Sequence, residues 1–317
     1  MRSVGILVFI MTILFCGAVE VKSTGAKTEP HFQELSVKFD WNSKEVKKLC
    51  DGILYTKMQL KHPRIIKLAA VKIDLTTPGL RFKMTPRDKD WGKNMPDYSH
   101  PKQKYTIRTR RETTRSFMEQ AVKNGENMVA AVNGPPWGPW KAPWNHKYAD
   151  WMGLLISDGV TVSFPHRNRP SFVVKKDGSC DFQHILPNDK TDHIRHAISG
   201  FVQILRDGKL TDDDKKKPSL APRTAYGLTA DRKTLFLLVV DGRQPMYSMG
   251  CNTKELAVLM RFFGASDALN MDGGGSTTLF LNDGQKMMKM NSYRFGMERT
   301  VGANMGIIID KQTSKNN

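Results

Sequence analysis

The chain is poor in cysteine and has no histidine cluster, and each shortage narrows its chemistry. Only four of its 317 residues are cysteine. Cys16 lies in an apolar N-terminal stretch, and the other three, Cys50, Cys180 and Cys251, are odd in number and widely spaced. That spacing matches neither a metal site nor a disulfide framework. One disulfide beside a free thiol stays open, but small buried apolar side chains are the better reading. The eight histidines show no familiar ligand spacing; His193 and His196, three apart, fit a surface or hydrogen-bonded pair. No cofactor motif occurs, so neither a metal nor a cofactor is expected. Beyond residue 15 no apolar run approaches the roughly 20 residues of a membrane-spanning helix, which excludes an integral membrane segment in the mature chain. Internal repeats and low-complexity tracts are absent as well.

The N-terminus does carry a signal. Met1-Arg2-Ser3, an apolar run over residues 4–15 and the small residues Cys16-Gly17-Ala18 follow the order of a secretory signal peptide. The reading is cleavage after Ala18, a leader over residues 19–45, a folded domain over 46–312 and a secreted or periplasmic protein. Bulky Phe15 before Cys16 fits lipid attachment badly. Acidic residues are outnumbered, giving a formal net charge of +18. Such a balance attracts polyanions without naming them. The basic residues are dispersed apart from Lys215-Lys216-Lys217, and no nucleic-acid signature occurs, so nucleic acid is not the expected partner. Phosphate-bearing glycans or anionic wall polymers fit better, with a merely solvated basic surface as the alternative.

With 39% hydrophobic residues the chain has material for one large core or two modest ones, and as no linker divides it one domain is expected. Branched apolar runs predict strands over residues 65–74, 128–132, 153–156, 172–175, 198–205, 235–240, 267–271 and 306–309. Four of these runs end near Asp-Gly steps, at 158–159, 177–178, 207–208 and 241–242, the usual hairpin signal. Two helices are predicted. One covers residues 111–123 before Asn124-Gly125; the other is capped by Asn252-Thr253, has Leu256, Leu259, Met260 and Phe263 on one face and ends at Gly264. Residues 85–104 and 135–151 read as loops. The fold class is α+β, a mixed or antiparallel sheet core with flanking helices.

Four segments share one form, an apolar strand that delivers polar groups beside glycine. In Asp272-Gly273-Gly274-Gly275-Ser276 the three glycines suggest a backbone that takes unusual dihedrals or approaches a ligand. Their amides would form an anion-binding nest with the Ser276 and Thr277 hydroxyls, and the alternative is a tight strand connection. Arg223-Thr224 supplies a guanidinium suited to phosphate, Asp241-Gly242-Arg243 a carboxylate and a second guanidinium, and Asn133-Gly134 an amide. If these strand ends converge, they form a cleft with two carboxylates, two arginines and a glycine nest.

The run Asn270-Met271-Asp272-Gly273-Gly274-Gly275-Ser276-Thr277-Thr278-Leu279, after Gly250 and Glu255-Leu256-Ala257, resembles the hallmark of the phosphodiester glycosidase family. Pro222-Arg223-Thr224 through Gly227, Val240-Asp241-Gly242-Arg243, Ser199-Gly200 with Asp207-Gly208-Lys209, and Arg299 resemble its further blocks, so the likeness spans residues 50–310. Asn133-Gly134 departs from the pattern by leading into Pro135-Pro136-Trp137, and Met271 replaces a leucine. The resemblance implies hydrolysis at a sugar C1–O bond with departure of a phosphate monoester, N-acetylglucosamine 1-phosphate diesters being the best-known substrates. On that reading Arg223, Arg243 and the amides of Gly273 to Ser276, with Thr277 and Arg299, hold the phosphate. Asp272 or Asp241 activates water or supports charge on the ring, and Asn133 and Thr224 orient the substrate. Trp137, Trp140 and Trp144 stack on sugar or pack beneath their loop. A non-catalytic module for phosphorylated glycans and a phosphodiesterase that breaks P–O remain the alternatives. The absence of any Asn-x-Ser/Thr site fits a bacterial exported protein.

Overall fold

A computed structural model describes residue 35 and residues 37–96, 104–140, 146–151, 153–166, 169–211 and 219–310. The signal segment, residues 19–34 of the leader, the Lys215-Lys217 run and Trp144 lie outside the described residues.

The strand Thr234–Val240 shows how the sequence builds the centre. Leu235, Leu237 and Val239 enter one apolar cluster, and Phe236, Leu238 and Val240 enter another on the opposite face. A strand buried on both sides reads as an unbroken apolar run, as this one does. It lies inside an eight-stranded sheet ordered Lys47–Cys50, Ile53–Leu60, Ile66–Asp74, Thr234–Val240, Arg223–Leu228, Asp267–Asn270, Val202–Arg206, Lys209–Leu210. One face of that sheet packs against a five-stranded sheet ordered Met287–Lys289, Leu279–Asn282, Met128–Asn133, Asn304–Ile309, Leu80–Met84. A second five-stranded sheet, Val160–Ser163, Leu155–Ser157, Ile194–Ser199, Ser171–Lys175, Cys180–Gln183, closes the same core through Phe172 and Ile198. Every strand pairing among the described residues is antiparallel.

Helices cover the two outer faces. Thr253–Phe263 begins with a capping box between Asn252 and Glu255 and ends at Gly264 with φ 109°. It buries Leu256, Leu259, Met260 and Phe263 on the eight-stranded sheet. Thr114–Lys123 packs Phe117 and Met118 on the outer face of the first five-stranded sheet, against Met128, Phe280 and Ile308. The α+β class is met in this sheet-dominated form.

Several local expectations change. The first helix starts at Thr114 because Thr113 caps it and Glu112 is already paired with Val301 in an extended bridge. Residues 198–205 form no single strand: the chain leaves one sheet after Ser199 and enters the eight-stranded sheet at Val202. Residues 135–151 contain the short strands Trp137–Gly138 and Tyr148–Trp151. Three of the four Asp-Gly steps turn hairpins, but Asp241-Gly242 does not. There a Cβ on residue 242 would meet Pro222 N at 2.5 Å, so glycine permits a close approach of two chain segments. The leader boundary also moves. Trp41 stacks on Phe236 and donates from Nε1 to Phe263 O at 2.9 Å, so the fold begins before residue 46. Cys180 and Cys251 are buried free thiols, and Cys50 is half-buried and free.

Candidate functional site

The strand ends meet, but they do not bring every expected side chain together. Arg223 lies opposite Val240, Ala225 lies opposite Asn270, and Met128–Asn133 reaches the same end from the facing sheet. Asn133 joins them. It is 0% exposed, its Oδ1 accepts from Thr224 Oγ1 at 2.8 Å and from Thr278 N at 3.0 Å, and its Nδ2 donates to Asp272 O at 2.8 Å. Tyr226 donates its phenol to Asn133 O at 2.8 Å. Asn133 and Thr224 are therefore internal ties that fix the Asp272 backbone, not groups that face a ligand. A buried amide with its donor and acceptor capacity used in this way holds one geometry.

The glycine segment differs from an open nest. The Gly273 amide donates to Asp272 Oδ1 at 3.0 Å, Gly274 to Pro222 O at 2.9 Å, Ser276 to Gly273 O at 3.1 Å and Thr277 to Gly274 O at 3.4 Å. These four amides, in and beside the short 3₁₀ turn Gly274–Ser276, are thus used on protein oxygens. Its glycines serve close approach instead. A Cβ at Gly273 would come 2.7 Å from Pro222 O, at Gly274 3.1 Å from Arg243 Nη1, and at Gly275 2.5 Å from Arg299 Nη2. Missing side chains let two guanidinium groups lie directly on the turn.

Around that turn positive charge exceeds negative. Arg299 and Arg169 both act on Asp272, and Arg243 acts on Arg299. Burial holds Arg169 and Arg299 below the usual guanidinium value, with Asp272 opposing the shift in both and Arg243 adding to it at Arg299. Arg169, Arg243 and Arg299 form no ion pair within 4.0 Å among the described residues. Arg111, whose value burial and Arg299 push down to about 10, stacks over Trp137 at 4.3 Å and donates to His146 O and Thr300 O. Arg299 lies 4.9 Å over the ring of Trp140, a residue 48% exposed.

Asp272 is the carboxylate of this cluster. Burial raises it to about 6, against the opposing effects of the Ser276 hydroxyl, Arg299, the Gly273 amide and Arg169. The residue keeps some exposure, but its Oδ2 is buried without a well-formed hydrogen bond, as are the hydroxyls of Ser276, Thr277 and Thr278. Unsatisfied buried polar atoms are rare and mark a place where a partner is expected.

Two expected members are elsewhere. Arg223 donates from Nε to Cys251 O at 3.1 Å and from Nη2 to Ser219 O at 2.8 Å, and its stem rather than its charge lies beside Gly273. Asp241, 5% exposed, accepts from Ser292 N at 2.7 Å in a pocket of about 500 Å³ that includes none of Asp272, Arg243 and Arg299. Burial raises Asp241 to about 6, offset by the Ser292 amide, Tyr247, Lys57 and Lys67. Sequence reading missed Arg169 and Arg111, since neither sits in a glycine motif and only tertiary packing brings them to the turn.

Comparison with known proteins gives the fold and the family. The chain matches solved structures of the zebrafish N-acetylglucosamine-1-phosphodiester alpha-N-acetylglucosaminidase catalytic domain, auto-inhibited by its pro-peptide (TM-score 0.57, 19% identity, 87% of each chain covered), and of a hypothetical protein from Synechocystis (TM-score 0.61, 12% identity, 85% of this chain and 64% of that one). A mouse N-acetylglucosamine-1-phosphodiester alpha-N-acetylglucosaminidase is 26% identical over 41% of this chain, and the matching part spans 29% of the mouse protein. The model of the phosphodiester glycosidase family matches residues 119–308, a span that contains Asn133, Arg169, Arg243, Asp272 and Arg299. With more than half of its length matched, and with every member of the arginine cluster except Arg111 inside the match, the chain belongs to the phosphodiester glycosidase family.

Proposed function

We propose that the protein is an exported hydrolase that cleaves the C1–O bond of a glycosyl 1-phosphodiester, with Asp272 as its carboxylate. The observation that supports this most strongly is the excess of guanidinium over carboxylate at the glycine turn: Arg169 and Arg299 act on Asp272, and Arg243 lies against the same turn at Gly274 and acts on Arg299. A phosphate monoester is already a stable anion, so its departure needs charge stabilisation more than a proton donor. Arg243 and Arg299 supply that charge from positions against the turn, and Arg169 acts on the same carboxylate. Ionised Asp272 activates water or supports the charge that develops on the sugar ring. Asn133, Thr224 and Tyr226 act as positioning residues behind it. Trp140, exposed beside Arg299, offers a face for the sugar. The substrate class is an N-acetylglucosamine 1-phosphate diester or a phosphate-containing surface polysaccharide, in keeping with the charge of +18.

The test is turnover of an N-acetylglucosamine 1-phosphate ester in oxygen-18 water, with mass analysis of both products. Label in the sugar supports the reading. Label in the phosphate makes the protein a P–O-cleaving phosphodiesterase, and ligand binding without turnover makes it a binding module.

A further inference from the structure

The pocket that holds Asp241 has the composition of a second ligand site. Asp241 lines it together with Lys57, Lys67, Lys289, Tyr247 and Ser292. Three ammonium groups thus share one carboxylate. None of the three forms an ion pair within 4.0 Å among the described residues. Lys67 Nζ instead lies 3.7 Å over the Tyr247 ring and Lys289 Nζ 4.5 Å over Tyr293, while Lys57 Nζ donates to Lys289 O at 3.2 Å. Burial holds the Lys57 ammonium below its usual value, with Asp241 opposing this and Lys289 and Lys47 adding to it.

Lysines that repel one another around a cavity are relieved by an anion. The carboxylate has a different use. Its Oδ1 is anchored by the Ser292 amide, and a carboxylate has lone pairs enough to accept further hydroxyl donors. Few and convergent polar groups in a concave site of several hundred Å³ are the usual form of a small-molecule pocket. We propose that this pocket binds a phosphorylated sugar, with the phosphate among Lys57, Lys67 and Lys289 and a sugar hydroxyl on Asp241, as a site separate from the Asp272 turn. The division between the two sites is built into three consecutive residues. Asp241 faces the pocket, Gly242 packs against the backbone of Ala221 and Pro222, and Arg243, with φ 56°, turns to the glycines.

The experiment reads binding and not turnover, so it stands whether or not the glycosidase reading holds. Amide NMR signals of Ser292 and Tyr247 are followed as N-acetylglucosamine 1-phosphate is added to the wild-type chain and to Arg299→Ala. Both signals should move and saturate in each protein. Lys67→Ala should weaken this site by roughly tenfold, the usual cost of a hydrogen bond to a charged group. Lys57→Ala provides a second, exposed variant should the first fail to fold. Asp241→Asn should weaken binding of the sugar phosphate while leaving that of inorganic phosphate. The proposal is overturned if Ser292 and Tyr247 do not respond, if they respond equally to N-acetylglucosamine without phosphate, or if Arg299→Ala abolishes their response.

Discussion

Asp272→Asn separates the cost of a buried charge from its use. In the folded chain burial raises this carboxyl from 3.8 to about 6. In the unfolded chain it titrates near its ordinary value, so between pH 3.8 and 6 the native state binds more protons than the unfolded state. Stability attributable to the neutral carboxyl is complete below pH 3.8 and is lost as pH rises through about 6. The interval corresponds to about 3 kcal/mol at about 1.4 kcal/mol per pH unit. Asparagine has no such charge, and it retains an oxygen for the Gly273 amide. The stability of Asp272→Asn relative to wild type should therefore rise by about 2.4 kcal/mol between pH 4 and pH 7.5, whatever the constant offset from lost arginine contacts. Urea denaturation at both values measures it. Activity should fall by about a thousandfold, within the range for a lost general base. An equal stability gap at the two pH values would refute the electrostatic argument, and unchanged turnover would remove Asp272 from the mechanism.

Further outcomes follow from the same geometry. The kcat/KM of the wild type should rise with pH through about 6 and level off above it, because ionised Asp272 is the competent form, and a pH–rate profile checks this. Asn133→Ala strands the Thr224 hydroxyl, the Thr278 amide and the Asp272 carbonyl, and it should cost about 4 kcal/mol in urea unfolding, at roughly 1–3 kcal/mol per orphaned group. Gly275→Ala places a Cβ 2.5 Å from Arg299 Nη2, so the guanidinium must leave its place against the turn; KM should rise roughly tenfold while the unfolding midpoint stays near that of wild type, since no backbone has to shift. Gly242→Ala meets backbone at Pro222 N and Ala221 C instead, and it should lower stability by about 2 kcal/mol in thermal unfolding.

What could be read from the sequence was whatever local chemistry decides. The helix Thr253–Phe263 was legible because its cap, its apolar stripe and its terminal glycine lie within thirteen consecutive residues. The common form of the strand ends left their convergence open; the fold brings Asp272 and Arg243 to one turn with Arg299, but not Asp241 or the Arg223 guanidinium. The individual roles were not legible. Asn133 has the same glycine neighbour as the other polar strand ends, yet its side chain is used inside the protein, which depends on Thr224 and Thr278 arriving from other strands. Asp241-Gly242 has the dipeptide of a hairpin, but close packing against Pro222 keeps the chain moving forward. Arg169 has no motif at all. Its place beside Asp272 arises from the fold of a different sheet.

The turn itself decides how an anion would be held. An amide nest requires N–H groups that point outward and are unpaired, whereas Gly273, Gly274, Ser276 and Thr277 donate to protein oxygens. Three glycines cost conformational entropy, and that cost has to be matched by something only a missing side chain permits. Here it is the approach of Arg243 and Arg299 to the main chain at Gly274 and Gly275. Guanidinium groups packed against backbone lose less freedom on meeting a ligand than groups at the end of solvated stems. The glycines thus act through the arginines. It follows that a bulkier residue at 275 should impair phosphate recognition even though the turn contributes few free donors of its own.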